Sequence, residues 1–219
     1  MSMAIELPTA QLKWAPGLDP TRVSWNDPAG WYRRALAVDS ASSAKHVIHL
    51  AVCHLSATER DAIRTLTPHR EPRTKPEADP DFMSPMMWSV MAKPDQSVVS
   101  QTGILYRVIR VGDVLVPVGG LSTVMTLAEA RGRGYGRAVL ASATAFVGVW
   151  LWAPFALVLC AADASGFYEH LGWRKVNEPL SCSGFGGQQA LTDRLAMVLP
   201  CQGQAEWPGG PIDLCGAPW

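Results

Sequence analysis

Hydrophobic and polar positions first fall into a regular pattern at Lys45. In KHVIHLAVCHL, Val47, His49, Ala51, Cys53 and Leu55 share one face, and His46, Ile48, Leu50, Val52 and His54 share the other. This alternation predicts a largely buried strand. SATERDAIRTL follows, with Ser56 placed to cap a helix and Glu59 three residues on, a capping box. Residues 68–80 are charged and Pro-rich and predict a loop. SVVSQTGILYRVIRVGDVLVPVGGLSTVMTL then carries three β-rich runs, broken at Val111-Gly112-Asp113 and at Gly119-Gly120. The first break predicts a hairpin turning at Gly112-Asp113. From Ala138 to Ala162 there is no charge for 25 residues, long enough to span a bilayer. Pro154 interrupts that run, and Ala141, Ser142, Ala143 and Thr144 dilute its first half. Division at Ala153-Pro154 gives a helix of about 13–15 residues and a short strand, FALVLC, both of globular length.

Composition narrows the class. The 219 residues include 48% hydrophobic positions, enough to bury one domain's core. Lys+Arg and Asp+Glu are both 19, which excludes a broad basic face for nucleic acid and an acidic solvating chain. Residues 1–44 hold Pro8, Pro16, Pro20, Pro28, Trp14, Trp25 and Trp31 without a sustained period, and read as an arm before a domain over 45–219. The five cysteines contain no C-x-x-C pair; Cys160, inside an apolar run, reads as a small core residue. A disulfide scaffold is not expected, MSMAIELPTAQLKW lacks the basic and long apolar parts of a signal peptide, and a reducing cytoplasm is the expected location. His46, His49, His54 and Cys53 invite a zinc reading. In a strand they divide between two faces, so no metal is expected.

The chemistry concentrates in VMTLAEARGRGYGRAV, Val124 to Val139: a strand, a turn, then Arg131-Gly132-Arg133-Gly134-Tyr135-Gly136-Arg137 opening a helix. Glycines keep Cβ atoms away from a ligand and permit unusual backbone angles. The start of a helix presents unpaired N–H groups and about half a positive charge, and three arginines add full charges. Together these predict a phosphate or pyrophosphate site. The P-loop spacing is absent, and the dinucleotide fingerprint lacks its third glycine and its later acidic residue.

Arg131-x-x-Gly134-x-Gly136 after a strand resembles the R-x-x-G-x-G pyrophosphate loop of the GNAT acyltransferases. Downstream, FALVLCAADASGFYEHLGWRKV resembles their second signature, F-Y-x-x-x-G-[WF], and predicts a strand, a short helix and a further strand after Gly172-Trp173. The tail WPGGPIDLCGAPW and the segment KHVIHLAVCHLSATERDAIRTL are similar to those of the aminoglycoside 2′-N-acetyltransferases. The resemblance implies an α/β fold, a mixed and mainly antiparallel sheet flanked by helices. It implies acetyl transfer from acetyl-coenzyme A to a small-molecule primary amine, most directly an aminoglycoside antibiotic, with no nucleic-acid or membrane partner and a homodimer left open. Another small amine, a protein amine, or a non-catalytic acyl-coenzyme A module on the same fold are the alternatives.

Residue by residue, the resemblance implies that Val124, Met125 and Thr126 hold the pantetheine and acetyl group. Arg131, Gly132, Arg133, Gly134, Tyr135, Gly136 and Arg137 would hold the pyrophosphate. Tyr168 matches the tyrosine that protonates the leaving thiolate; a phenol with pKa of about 10 suits that task. The aminoglycoside group carries a glutamate on the coenzyme strand, and an ungapped count from Arg131 puts Ser122 there. A serine is no base at neutral pH, so a water chain, the carboxylate of Trp219, or Asp193 and Asp213 become the candidates for receiving the amine's proton and holding the amine.

Overall fold

The computed structural model describes residues 47–51, 57–66, 85–92, 98–184, 187–203 and 205–219. The expected arm, Ser56, Cys53, His46 and His54 lie outside them. Two long strands set the frame. β3 (Val98–Val111) and β4 (Val114–Thr126) form an antiparallel hairpin that turns at Gly112-Asp113 as the sequence predicts. Gly112 takes φ 56°, the left-handed conformation such a turn needs. Ahead of the hairpin come β1 (Val47–Ala51), α1 (Ala57–Thr65) and β2 (Met87–Ala92). β1 pairs with β2, and β2 with the first half of β3.

After β4 the chain forms α2 (Tyr135–Val149) and then β5 (Phe155–Cys160), parallel to β4. Helix α3 (Ser165–His170) leads to β6 (Arg174–Val176), β7 (Leu180–Gly184), β8 (Gly187–Ala190), β9 (Leu195–Pro200) and β10 (Ile212–Asp213). The main path of the sheet runs β6-β9-β5-β4-β3-β10-β7-β8. The β4–β5 and β10–β7 pairs are parallel and the other pairs antiparallel, the mixed α/β arrangement expected.

Helix α2 forms where its apolar residues recur on one side: Val139, Leu140, Ala143, Phe146 and Val147 are buried. Leu140, Ala143 and Phe146 pack with Ile104, Leu121, Val158, Met197 and Tyr168 on one face of the sheet. A second cluster gathers Ile109, Val118, Leu157, Val198, Ile212 and Leu214. Each buried Leu or Ile contributes about 1.5–3 kcal/mol. The uncharged run is therefore a core helix of 15 residues and a strand, with Cys160 buried beside them. Among the described residues no helix is long and apolar enough to cross a membrane.

One expectation fails. Gly119-Gly120 does not break a strand; it lies inside β4, paired with Tyr106 and Leu105. The two missing side chains admit neighbours on opposite faces. A Cβ on Gly119 would collide with Val147 of α2, and one on Gly120 would lie 2.7 Å from Cε2 of Trp219. Glycine here serves close approach, not a turn.

Candidate functional site

Strands β4 and β5 pair only from Val118–Leu121 against Phe155–Val158. Beyond Leu121 and Val158 they separate, and β4 runs on to Thr126 while β5 runs on to Cys160. The cause lies in β4. Its register with β3 shifts between Gly103↔Ser122 and Gln101↔Met125, so Thr123 and Val124 together oppose Thr102. Thr123 has φ 49°, a conformation that costs a β-branched residue on the order of 1–3 kcal/mol. Thr102 Oγ1 donates to the Ser122 carbonyl at 3.0 Å and fixes the bulge. A bulge turns the strand away from its neighbour and leaves backbone groups of Val124, Met125 and Thr126 bordering an open fork.

At the outer end of the fork β4 meets the glycine-arginine segment. Ser100 Oγ and Thr126 Oγ1 are 2.9 Å apart, and Ser100 Oγ donates to the Met125 carbonyl at 3.1 Å. Arg131 Nε donates to the Thr126 carbonyl at 3.3 Å. Gly132 and Gly134 have φ 73° and 76°, and Gly134 is the N-cap of α2, without a side-chain cap. A Cβ on Gly136 would come 3.2 Å from Thr126 Oγ1 and 3.4 Å from Phe167 Cζ, so glycine seats the first turn of α2 against β4 and α3. Arg131, Arg133 and Arg137 are exposed around that turn, and Tyr135 is half-buried. The expected phosphate-binding residues thus converge at one helix start beside the fork, where intrahelical carbonyls leave N–H groups over.

Tyr168 projects from α3 into the core cluster under α2, edge-on to Trp173 with ring centroids 5.7 Å apart. Burial first, and the neighbouring Cys160 second, raise its hydroxyl above the usual tyrosine value. Burial likewise raises the Cys160 thiol. Tyr168 therefore stays a neutral O–H donor beside the end of β5 throughout the physiological range.

Ser122 stands on the face of β4 that does not meet α2. It is 7% exposed, and its Oγ has no hydrogen-bond partner. Trp219 covers Gly120 on the same face, beneath Arg107, whose guanidinium carbon is 5.9 Å from the indole centroid. Arg107 also donates to the Ala217 carbonyl, so one cation anchors the tail through two residues. Asp193 is exposed and pairs with Arg194 at 3.3 Å. Asp213 accepts from the Cys215 N–H at 2.9 Å and from Gln188 at 3.4 Å. Asp213 pairs with Arg110 on β3, seven positions from Gly103, which faces Ser122. That separation is about 24 Å at 3.4 Å per strand residue. The fold therefore does not bring Asp213 to Ser122, and both carboxylates have local partners.

Sequence reasoning missed Arg107, Thr123 and Gln101. Gln101 lies on β3, is 0% exposed, and neither its Oε1 nor its Nε2 has a partner. A polar side chain at an apolar strand position was the available signal. Two surface hollows of about 440 and 360 Å³ lie elsewhere, the first around Lys175–Leu180 and Ala190–Ala196, the second around Phe155, Arg174 and Trp207. Neither is lined by a residue of β4 or of the outer end of β5. Among the described residues no three His, Cys, Asp or Glu side chains gather as a metal site.

A protein-family profile described as "Acetyltransferase (GNAT) domain" matches residues 64–176, from α1 to β6. No curated protein matches the chain. Among solved structures, the Escherichia coli protein YhbS, a GNAT family N-acetyltransferase in complex with CoA, aligns with TM-score 0.51 and 13% identity over 80% of this chain and 92% of that one. Escherichia coli ElaA aligns with TM-score 0.49 and 17% identity over 71% and 99%. A Pseudomonas aeruginosa acyl-CoA N-acyltransferase gives 0.48 and 14% over 71% and 99%.

Proposed function

Since the chain belongs to the GNAT acetyltransferase family and is an N-acetyltransferase, we propose that it moves an acetyl group from acetyl-coenzyme A to a primary amine of a small molecule, an aminoglycoside antibiotic in the finest form of this reading. The observation that carries the donor half is the fork between β4 and β5, with the start of α2 at its outer end. Backbone groups of Val124, Met125 and Thr126 suit an extended pantetheine arm, which adds like a strand where β5 leaves β4. The N–H groups at Tyr135–Arg137, with Arg131, Arg133 and Arg137, suit the pyrophosphate. The aminoglycoside form rests on the resemblance of the tail, the first strand and the first helix, and on the seating of Trp219 beside Ser122.

The chemistry assigned to the residues is direct. The amine nitrogen forms a bond to the acetyl carbon, the carbon–sulfur bond breaks, and Tyr168 gives its proton to the sulfur. The amine releases its proton to water. Burial keeps the Tyr168 hydroxyl protonated at rest, so a proton is in place when the thiolate leaves. Ser122 accepts hydrogen bonds near the amine but does not deprotonate it.

The test is thiol release from acetyl-coenzyme A with a panel of aminoglycosides, polyamines and amino acids, beside calorimetry of coenzyme binding. Turnover with an aminoglycoside supports the full reading. Turnover with another amine replaces the substrate and keeps the reaction. Tight coenzyme binding without thiol release would make the protein a binding module.

A further inference from the structure

Buried polar side-chain atoms are almost always hydrogen-bonded, and each exception asks for a cause. Five such atoms among the described residues have no partner, and four of them belong to Gln101, Ser122 and Trp219. The three are neighbours. Gln101 and Gly103 share one face of β3, Gly103 faces Ser122 on β4, and Trp219 covers Gly120 two residues before Ser122. Gly103 lets Ser122 Oγ and the Pro85 ring close in between them: a Cβ there would lie 2.6 Å from Ser122 Oγ and 2.5 Å from Pro85 Cγ. The patch is interior: Val90, opposite Gln101, is buried with Ile63 and Leu66, while Trp88, Met125 and Trp219 beside it are partly buried. Among the described residues, Arg107 places a charge over its indole.

Leaving an amide, a hydroxyl and an indole N–H buried and unpaired carries the full desolvation penalty of each group, so three together call for a ligand that pairs them. We propose that Gln101, Ser122 and the Trp219 indole N–H form the hydrogen-bonding wall of the acceptor site and select an amine with hydroxyl groups beside the reacting nitrogen, as in an amino sugar, over a bare polyamine. This rests on the acetyltransfer reading above. Hydroxyl groups both donate and accept, and so satisfy Gln101 Oε1, Gln101 Nε2, Ser122 Oγ and the indole N–H together. A bare ammonium only donates, leaves Nε2 and the indole unpaired, and meets the charge of Arg107. Sites built to bond a substrate hydroxyl discriminate strongly against analogues without it.

The experiment compares binding of 2-amino-2-deoxyglucose and 1,4-diaminobutane to the coenzyme A-loaded protein by calorimetry, in the wild type, Gln101→Leu and Ser122→Ala. The wild type should bind the amino sugar at least tenfold more tightly. Gln101→Leu should erase that preference, with coenzyme affinity unchanged and thermal stability equal or higher, because it removes two unpaired polar atoms from the interior. Ser122→Ala, a smaller change, should reduce the preference severalfold. An unchanged ratio in both variants, no preference in the wild type, or equal weakening of both amines with a lowered Tm would each overturn the proposal. Thiol release with the same two amines is scored separately: its absence with every amine defeats the acetyltransfer reading, while the binding ratio still decides the pocket.

Discussion

A series at Gly134 separates backbone strain from ligand charge at the proposed pyrophosphate site. Gly134 caps α2 at φ 76°, ψ 11°, in the left-handed region. Alanine there costs roughly 1–2 kcal/mol of strain, whereas asparagine and aspartate tolerate this conformation better. Aspartate also complements the positive end of the helix by about 0.3–1 kcal/mol. Stability of the free Gly134→Asp protein should therefore stay within about 1 kcal/mol of wild type. Binding is a different matter. A carboxylate 4 Å from a phosphate charge meets a repulsion of about 1 kcal/mol in water and about 4 kcal/mol at the effective dielectric of a protein surface. Gly134 is exposed, so the lower half of that range applies to the nearer phosphate and less to the farther one, about 2–3 kcal/mol together. Coenzyme A affinity should fall about 30–100-fold in Gly134→Asp and only severalfold in Gly134→Asn. The loss should shrink with added salt. Calorimetry at two ionic strengths reads all of this. Equal losses for Asn and Asp, or an Asp variant within threefold of wild type, would refute a charged ligand at this turn.

Three further outcomes follow from named side chains. Tyr168→Phe should lower kcat about 10²-fold and leave coenzyme affinity unchanged; stopped-flow thiol release checks it, and an unaltered kcat reduces Tyr168 to packing. Trp219→Leu uncovers Gly120 and should cost about 2 kcal/mol of stability while raising KM for the amine and sparing coenzyme affinity; a comparable loss of coenzyme affinity would place the indole on the wrong side of the sheet. Burial pushes the Cys201 thiol up to about 11, partly offset by a backbone hydrogen bond. The unfolded thiol ionises near pH 8.5, so the folded state holds the extra proton between there and about 11. Stability should fall as pH rises through that window and be intact below it; urea denaturation from pH 8 to 11 should show a flatter curve for Cys201→Ala.

Much of the fold was legible because it obeys local rules. The period of the apolar residues from Val139 to Val147 and the position of Pro154 give α2 and β5 without tertiary information. Gly112-Asp113 gives the hairpin because only a left-handed residue closes so tight a turn. Gly119-Gly120 misled for an equally physical reason. Glycine weakens a strand and also clears space beside it, and the sequence cannot say which neighbours will claim that space. Here Val147 and Trp219 claim it from two faces, 28 and 99 residues away in the chain.

The site divides along the same line. The glycine-arginine turn is continuous in sequence, so its helix start, its charges and its bare backbone could be read together. The bulge at Thr123 could not. Its positive φ opposes the preference of a β-branched residue, and it exists because Thr102, twenty-one residues earlier, holds the Ser122 carbonyl. That one displaced residue shifts the pairing of β4 with β3 just beyond the point where its pairing with β5 ends, and Ser122 and Gln101 lie beside it on the face opposite α2. Coenzyme fork and polar patch thus meet at one bulge. A change that straightens β4, such as Thr102→Val, removes the hydrogen bond that holds it and should weaken coenzyme binding and amino-sugar selectivity together, though Thr102 belongs to neither ligand's surface.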